Sequence, residues 1–256
     1  MEQPLLEVRG LSRSFGGLHA VRGLDFAVAE GAIHALLGPN GAGKTTVFNL
    51  VAGALQPQGG AVTFRGTPIT GRKPHEVAAL GIARTFQMTH LFPRMTVLEN
   101  VQVGRHVRSR AGFLAAMLNL PSTWKEERAI RDEARAILDK LELGDWAATP
   151  AGTLSFGQQR LVEFARSLAM EPSLLLLDEP AAGLNIYETE ELARLITRVR
   201  DWGITVLVVE HDMSLVMDIS DAVVVLNHGS KIAEGKPAEI QRHSEVIRIY
   251  LGENHA

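Results

Sequence analysis

Residues 38–46 (GPNGAGKTT) constrain this chain more than any other segment, because they match the pattern G-x-x-x-x-G-K-[ST]. An apolar run at 33–37 precedes them and a helix-like run at 46–51 follows, so the segment lies in a strand–loop–helix context. Glycines let successive backbone N–H groups turn toward one anion. The N-terminus of the following helix adds unpaired donors and a partial positive charge. The segment therefore predicts a binding site for the phosphates of a nucleotide.

Every residue of this loop is predicted to bind the nucleotide: Gly38, Pro39, Asn40, Gly41, Ala42, Gly43, Lys44, Thr45 and Thr46. Lys44 supplies a full positive charge for the β- and γ-phosphates, and the Thr45 hydroxyl is placed to ligate Mg²⁺. Kinases, GTPases and transport motors share the motif. The loop therefore predicts nucleotide binding without choosing among these classes.

Composition limits the partners and the compartment. The 256 residues are 46% hydrophobic, which is enough for one large α/β domain or two small lobes. A net charge of −3 argues against a broad basic face for nucleic acid, and the absence of cysteine excludes a disulfide framework. We see no secretion signal, and the apolar stretch 112–120 is too short to cross a bilayer. We therefore expect any membrane role to be peripheral.

The order of predicted elements indicates an α/β fold. Short strands punctuated by glycine turns, near 5–8, 24–28 and 61–64, predict an antiparallel layer. The all-apolar run 174–177 predicts a central parallel strand that is covered on both faces. The other predicted strands are 81–87, 204–209, 222–226 and 231–234. Helices between the later strands complete the α/β pattern.

A helical segment interrupts this pattern. Strand signals vanish after Met88, Thr96 with Glu99 three residues later predicts a helix start, and apolar residues at helical spacing predict a helix within 124–143. We expect a P-loop NTPase (RecA-like) core with an antiparallel β subdomain and an inserted α-helical subdomain. The predicted parts of this single domain, 1–256, are the core with its antiparallel subdomain at 1–87 and 159–236, the helical subdomain at 88–158, and a helical tail at 237–256.

Four polar residues lie where predicted strands end, at the edge where ligands gather in open α/β sheets. Asp178 directly follows the four-leucine run and can hold Mg²⁺, directly or through water, although an Asp here can also cap a helix. Glu179 is predicted to face the attacking water, and as a weak base it acts mainly by positioning that water. Gln87 can contact Mg²⁺ or this water, and His211 can hydrogen-bond a γ-phosphate oxygen.

Together with the stretch Leu154-Ser155-Phe156-Gly157-Gln158, these residues resemble the ATP-binding cassette (ABC) ATPases. The resemblance covers nearly the whole chain, in the order and spacing of the family. The Leu-Ser-x-Gly-Gln stretch discriminates, because kinases and GTPases lack it. The resemblance implies ATP and Mg²⁺ as cofactors and hydrolysis of ATP coupled to transport.

The sequence is more similar still to one branch of this family, the ATP-binding subunits of high-affinity branched-chain amino acid importers. That resemblance implies as partners transmembrane permease subunits, a second ABC ATPase subunit that is identical or a paralogue, and indirectly a solute-binding protein. It also implies a peripheral position on the cytoplasmic face of the inner or plasma membrane. The segments that carry it are 15–18, 84–87, 95–100, 178–185, 210–213 and 250–253.

The family implies that two cassettes close head to tail on two ATP molecules. In that arrangement Ser155 and Gly157, flanked by Phe156 and Gln158, contact the γ-phosphate that Lys44 of the partner holds. Phe15 corresponds to the aromatic residue that stacks on adenine, with a core or turn role as the alternative. The resemblance also implies that Gln87 senses the γ-phosphate and that the helical lobe docks on a permease.

Three residues depart from the common family pattern. Phe156 replaces the usual middle glycine of the signature loop, and Phe15 stands where tyrosine is common, which keeps stacking but loses a hydroxyl. Asn185 replaces a frequent aspartate, which puts the fine coupling of two sites in doubt but not hydrolysis. The segment 105–121 looks like an insertion, either a permease- or lipid-facing surface or an ordinary amphipathic helix, and its basic cluster at 105–110 is predicted to be a solvated loop.

The sequence is also compatible with other functions. Urea or amide importers and the ATPase of lipopolysaccharide export look alike at these motifs. A non-transport ABC ATPase acting on DNA or ribosomes is a second alternative, although such proteins usually carry a long coiled coil or a second cassette. A small-molecule P-loop kinase is the third, and it has no role for the stretch at 155–158.

Overall fold

The computed structural model of the chain describes residues 3–85, 91–105 and 121–252. Gln87 and most of the segment 105–121 lie outside these described residues. The chain divides into two compact units, the first formed by Met1–Arg84 and Ser173–Ala256, and the second by Thr85–Pro172. Among the described residues, no helix combines the length and the apolar character that a membrane span needs.

Within the described ranges ten strands, all in the first unit, form two sheets. They are β1 (Leu6–Phe15), β2 (Leu18–Val28), β3 (Ile33–Leu37), β4 (Gly59–Phe64), β5 (Thr67–Pro68), β6 (Ile82–Arg84), β7 (Leu174–Asp178), β8 (Thr205–Glu210), β9 (Ala222–Asn227) and β10 (Ser230–Gly235). The six-stranded sheet has the order β10-β9-β3-β8-β7-β6, and the four-stranded sheet has the order β2-β1-β4-β5. All pairs of the larger sheet are parallel except β9 with β10.

Strand composition explains why the larger sheet is central. Every residue of β3, β7 and β8 is buried, so these strands have no solvent-facing side. Continuous apolar runs of this kind suit parallel strands that are covered on both faces. The four-leucine run therefore lies where the sequence predicts it, with one difference, since Asp178 is the last residue of β7 rather than the residue that follows it.

Nine α-helices lie among the described residues. They are α1 (Lys44–Val51), α2 (Pro74–Ala79), α3 (Val97–Arg105), α4 (Pro121–Lys140), α5 (Phe156–Leu168), α6 (Ile186–Asp201), α7 (Met213–Ile219), α8 (Pro237–Ile240) and α9 (Ser244–Gly252). Helix α1 joins the two sheets, because its buried residues Val47, Phe48 and Val51 belong to the same apolar cluster as residues of both sheets. The core of the first unit therefore surrounds the helix that follows the predicted phosphate loop.

In the second unit the regular elements of the described residues are helices, and one isolated β-bridge joins Thr96 and Pro150 there. The predicted helix start is confirmed, because Glu99 accepts a hydrogen bond from the Thr96 amide (2.7 Å) while its own amide donates to the Thr96 hydroxyl (3.2 Å). Helix α4 buries one face through Ile130, Ala134 and Leu138, which is the apolar pattern that the sequence shows at helical spacing.

One expectation for this unit is wrong. Arg105 was expected in a solvated loop, but it is the last residue of α3 and its side chain is only 11% exposed. Its guanidinium forms ion pairs with Glu133 and with Glu171, the latter at 2.7 Å. A half-buried cation needs such partners, and both carboxylates come from segments distant in sequence, so the local pattern of basic residues gave no sign of them.

Candidate functional site

The loop 38–46 joins β3 to α1 in the arrangement that the motif predicts. Its lysine is folded back on the loop: Lys44 Nζ donates to the carbonyl oxygens of Gly38 (2.6 Å) and Pro39 (3.1 Å). Gly43 precedes the helix with φ of 101°. At this φ a side chain is strained, and a Cβ at Gly43 would also overlap the carbonyl oxygen of Ala20. Only glycine therefore lets the loop approach β2 this closely.

A cavity of about 430 Å³ opens beside this loop. Its walls are formed by loop residues, by the ends of β1 and β2, by the turn between β9 and β10, and by one acidic residue: Phe15, Leu18, His19, Ala20, Arg22, Asn40, Gly41, Ala42, Gly43, Lys44, Thr45, Thr46, Glu179 and His228. The lining thus combines the phosphate loop and its cation with an aromatic ring from the end of β1. This distribution suits a nucleotide, with phosphates at the loop and a base at the ring.

Phe15 supplies the aromatic ring of the cavity wall and is 44% exposed. The guanidinium of Arg13 lies 4.9 Å from the centroid of its ring, on the same strand two residues away. Because alternate residues of a strand share a face, Arg13 supports one side of the ring. Phe15 therefore lines the cavity and is not a core residue, while its stacking on adenine stays a prediction.

The register of the parallel strands brings the acidic residues together. Leu37 of β3 pairs with Glu210 of β8, and Asp178 of β7 pairs with Val209 of β8. The phosphate loop and both acidic residues therefore leave neighbouring strands at one edge of the sheet, where ligands bind in open α/β folds.

The electrostatics of Lys44 reflect this arrangement. Burial lowers the pKa of Lys44, while the charges of Glu179, Glu210 and Asp178 act in the opposite direction. These carboxylates favour the ammonium form that phosphate binding needs. Burial is the larger effect on the pKa of Lys44, and the acidic edge of the sheet opposes the loss of its charge.

Glu179 has a backbone conformation that few glutamates adopt, with φ of 46°. Its amide donates to the carbonyl oxygen of Val209 at 2.9 Å, so the chain is fixed to β8 at this point. Strained backbone of this kind persists where the surroundings determine it, and it concentrates at functional sites. The turn sends the Glu179 side chain to the wall of the cavity, which is the position that a carboxylate needs to face an attacking water.

Glu210 is the last residue of β8, and no role was predicted for it from the sequence. It is 1% exposed, and its two carboxylate oxygens accept hydrogen bonds from the amides of Ala181 (3.0 Å) and His211 (3.2 Å). Burial raises the pKa of Glu210, and these two hydrogen bonds oppose the shift. Its bond to Ala181 fixes the segment that follows Glu179, so Glu210 supports the turn that carries the acidic pair.

His211 directly follows β8, as predicted. Its side chain is 54% exposed, and its Nδ1 lies 3.8 Å from Glu210 Oε2. An exposed imidazole at the carboxyl end of this strand is free to turn toward a phosphate.

The oxygen donors that a magnesium ion prefers lie at the same edge. Thr45 is exposed at the wall of the cavity, and Asp178 is a 2% exposed carboxylate at the end of β7. A hydroxyl and a carboxylate, completed by phosphate oxygens and water, are the hard donors that suit Mg²⁺. Gln87 is the third predicted ligand and a predicted catalytic residue. It lies outside the described residues.

The signature stretch belongs to the second unit and forms a helix N-terminus. Ser155 is the N-cap of α5: its hydroxyl accepts from the Gln158 amide (3.3 Å), and its own amide donates to Gln158 Oε1 (2.9 Å). Phe156 is 46% exposed, and the guanidinium of Arg160 lies 5.5 Å from the centroid of its ring. The phenylalanine that replaces the common glycine thus stacks on a buried cation and leaves the cap intact.

Asn185, the other departure, has a clear local role. Its side chain is the N-cap of α6 and accepts hydrogen bonds from the amides of Tyr187 (3.0 Å) and Glu188 (3.1 Å). Asparagine and aspartate are about equally good at this position, so the capping function survives the replacement.

No role for Arg84 was predicted from the sequence. Its Nη2 donates to Asp178 Oδ2 at 2.7 Å, so the predicted metal ligand already has a basic neighbour on the adjacent strand. The available signal was that a charged residue follows two apolar residues at the end of a buried strand, where it can only point to the ligand edge or to a partner.

Comparison with known proteins agrees with this geometry. The family model described as ABC transporter matches residues 21–182, and the model of the branched-chain amino acid ATP-binding cassette transporter matches residues 230–256. The high-affinity branched-chain amino acid transport ATP-binding protein BraF of Pseudomonas aeruginosa is 46% identical over 99% of this chain and 100% of its own length.

Solved structures share the fold over almost the entire chain. The ADP conformation of an ATP-binding cassette of an ABC transporter matches with a TM-score of 0.86 and 32% identity, covering 98% of this chain and 100% of that one. A dimeric structure described as a bacterial ABC transporter cassette matches with a TM-score of 0.76 and 25% identity, covering 91% of this chain and 98% of that one.

The antiparallel and mixed sheets, the phosphate loop at the cavity, the acidic pair at the end of β7 and the capped signature helix together confirm the fold class that the sequence predicts. The chain belongs to the ABC transporter family, as an ATP-binding ATPase subunit homologous to those of branched-chain amino acid transporters.

Proposed function

We propose that this chain is the ATP-hydrolysing subunit of an importer for branched-chain amino acids. The observation that carries the hydrolytic part is the cavity in which the phosphate loop and Glu179 face the same volume. The solute class is supported by the full-length similarity to BraF and by the carboxyl-terminal family match at residues 230–256.

In this proposal ATP binds with its adenine on Phe15 and its phosphates on the loop. Lys44 exchanges its hydrogen bonds to the loop carbonyls for the β- and γ-phosphates, so its buried ammonium group does not have to be desolvated anew. Thr45 and Asp178 would hold magnesium, which would supply positive charge against the phosphates. Glu179 orients the attacking water, and His211 donates to a γ-phosphate oxygen.

The partners belong to the same proposal. Two permease subunits, a second cassette and, indirectly, a solute-binding protein would complete the transporter at the cytoplasmic face of the membrane. The helical subdomain, predicted at 88–158, would dock on a permease, and Gln87 would relay the state of the γ-phosphate to it. The capped N-terminus at Ser155, with Gly157 in its first turn, offers donors to an anion, which supports its role against the ATP of a second cassette.

The test of hydrolysis is the variant Glu179→Gln in the purified chain. Loss of the carboxylate should lower ATP turnover by about 10²–10⁴-fold, the usual contribution of a positioned base, while ATP affinity stays the same. Glu190→Gln is the matched control, because Glu190 is exposed on α6, away from the cavity lining. Turnover of Glu179→Gln close to that of the control would remove Glu179 from the mechanism.

The solute is tested separately, in the assembled transporter. Membranes that contain the chain with its copurified permeases should take up leucine, isoleucine or valine in an ATP-dependent manner. Uptake of urea or amides instead, or copurification with a lipopolysaccharide export permease, would replace the solute class and leave the ATPase assignment in place.

A further inference from the structure

Arg84 joins three parts of the nucleotide site. It is the last residue of β6 and its side chain is 12% exposed. Its Nη2 donates to Asp178 Oδ2 at 2.7 Å, and its Nη1 donates to Asn49 Oδ1 at 2.6 Å. The guanidinium also lies 5.9 Å from the centroid of the Phe48 ring. Arg84 therefore connects the end of β7 with α1, the helix that begins at Lys44.

The geometry uses the distinctive property of arginine. A guanidinium is a planar fork whose separate nitrogens bind separate acceptors at fixed angles. Here one nitrogen holds the carboxylate of Asp178 and another holds the amide of Asn49, so the two acceptors are held at a set separation. A carboxylate at the end of a strand would otherwise be free to rotate about its side-chain torsions.

Only one oxygen of Asp178 is used in this way. Within the described part of the chain, the Asp178 side chain accepts no hydrogen bond other than the one from Arg84 to Oδ2. Oδ1 is therefore the oxygen left for an additional ligand.

We propose that Arg84 is a positioning residue that fixes the Asp178 carboxylate so that Oδ1 meets the magnesium ion of the bound nucleotide, or a water of that ion. This inference rests on the proposed function, because it takes the role of Asp178 toward magnesium from there. It assigns to Arg84 a role in metal affinity, and it gives Asn49 the role of holding the second arm of the fork.

Charge repulsion alone predicts the opposite change in metal affinity when Arg84 is replaced. A guanidinium repels a divalent cation nearby, so removal of its charge alone would tighten metal binding. Positioning predicts weaker binding, because outer-shell partners of a metal ligand typically contribute about 10–100-fold to metal affinity. The direction of the change therefore separates the two effects.

The experiment titrates Mn²⁺ into the ADP complex of the full chain, with bound metal followed by electron paramagnetic resonance. Arg84→Gln should weaken Mn²⁺ affinity at least about tenfold, with metal-free ADP affinity unchanged. Arg65→Gln is the matched control, because Arg65 also lies in the first unit and pairs with Glu30 on the surface. Unchanged or tighter Mn²⁺ binding in Arg84→Gln would overturn the proposal.

Two further measurements keep the test interpretable. Arg84→Lys retains the charge but loses the fork, so it should fold and still bind Mn²⁺ severalfold more weakly than the parent; parental affinity in this variant would overturn the proposal even if Arg84→Gln fails to fold. If the unsubstituted chain binds ADP with the same affinity in the presence and absence of the metal, the magnesium role in the proposed function is contradicted. A metal-dependent parent with unaffected variants would count against Arg84 alone.

Discussion

The replacement Gly43→Ala tests how closely the phosphate loop depends on backbone geometry. Gly43 has φ of 101°, and a Cβ there would overlap the backbone carbonyl of Ala20. Gly41 provides the control in the same loop, because its φ is 80° and a Cβ there would meet no atom within 4 Å. The two replacements therefore share the left-handed backbone and differ in the steric overlap.

The expected magnitudes follow from this difference. A side chain on a left-handed residue lowers the free energy of unfolding by about 1–2 kcal/mol, and this applies to both variants. Steric overlap in a packed region lowers it by about 1–3 kcal/mol more, and this applies only to Gly43→Ala. Since Ala20 lies in β2, whose backbone is hydrogen-bonded to β1, the obstacle cannot rotate away. Gly43→Ala should therefore lower the free energy of unfolding by about 1–3 kcal/mol more than Gly41→Ala.

Thermal unfolding measures this directly. For a chain of this size about 1 kcal/mol corresponds to a shift of about 2–4 °C, so Gly43→Ala should melt at least about 2 °C below Gly41→Ala. The folded Gly43→Ala chain should also bind ADP more weakly than the parent chain, because Gly43 lines the cavity. Equal melting temperatures for the two variants would refute the argument that the close approach to Ala20 determines the glycine.

Two further predictions concern residues around the acidic pair. Asn185→Ala removes the N-cap of α6 and should cost about 1 kcal/mol, seen as a lower melting temperature, whereas Asn185→Asp should restore the parental value; a melting temperature unaffected by Asn185→Ala would contradict the capping role. Burial raises the pKa of Glu210 above the ordinary 4.5, so the folded chain keeps this proton longer than the unfolded chain. Stability should then fall as the pH rises from 4.5 through the raised pKa, and Glu210→Gln should abolish that fall in melting temperatures compared between pH 4 and pH 7.

The elements of the first unit were predictable because their signals are local. The phosphate loop is a contiguous motif, and the run 174–177 has no polar residue, so each specifies its own structure. The acidic pair at 178–179 and, in the second unit, the cap at Thr96 were predictable for the same reason. The strand register that unites them follows from the general rule that ligands gather at the carboxyl edge of parallel strands.

The remaining features depend on contacts between residues distant in sequence. Arg84 and Asp178 are separated by 94 positions, and Arg105 reaches Glu171 across the second unit. The positive φ of Glu179 also has no local signal, because glutamate rarely adopts it. It is held by hydrogen bonds that the Glu179 amide donates to Val209 and the Ala181 amide donates to Glu210. A single sequence carries no direct information on such pairings.

The central claim is that the cavity in one chain is half of a site that a second cassette completes, and mixing two inactive variants tests it most directly. The first variant, Lys44→Ala, has a disabled phosphate loop and an intact signature helix. The second variant, Ser155→Arg, has an intact phosphate loop and a blocked signature helix. If sites form between two copies, a mixed dimer contains one intact site, and an equal mixture should recover up to about one quarter of the parental ATPase activity by random pairing. Each variant alone should stay near background. A mixture that also stays at background, with both variants folded and Ser155→Arg still binding ATP, would contradict a site shared between two copies of this chain.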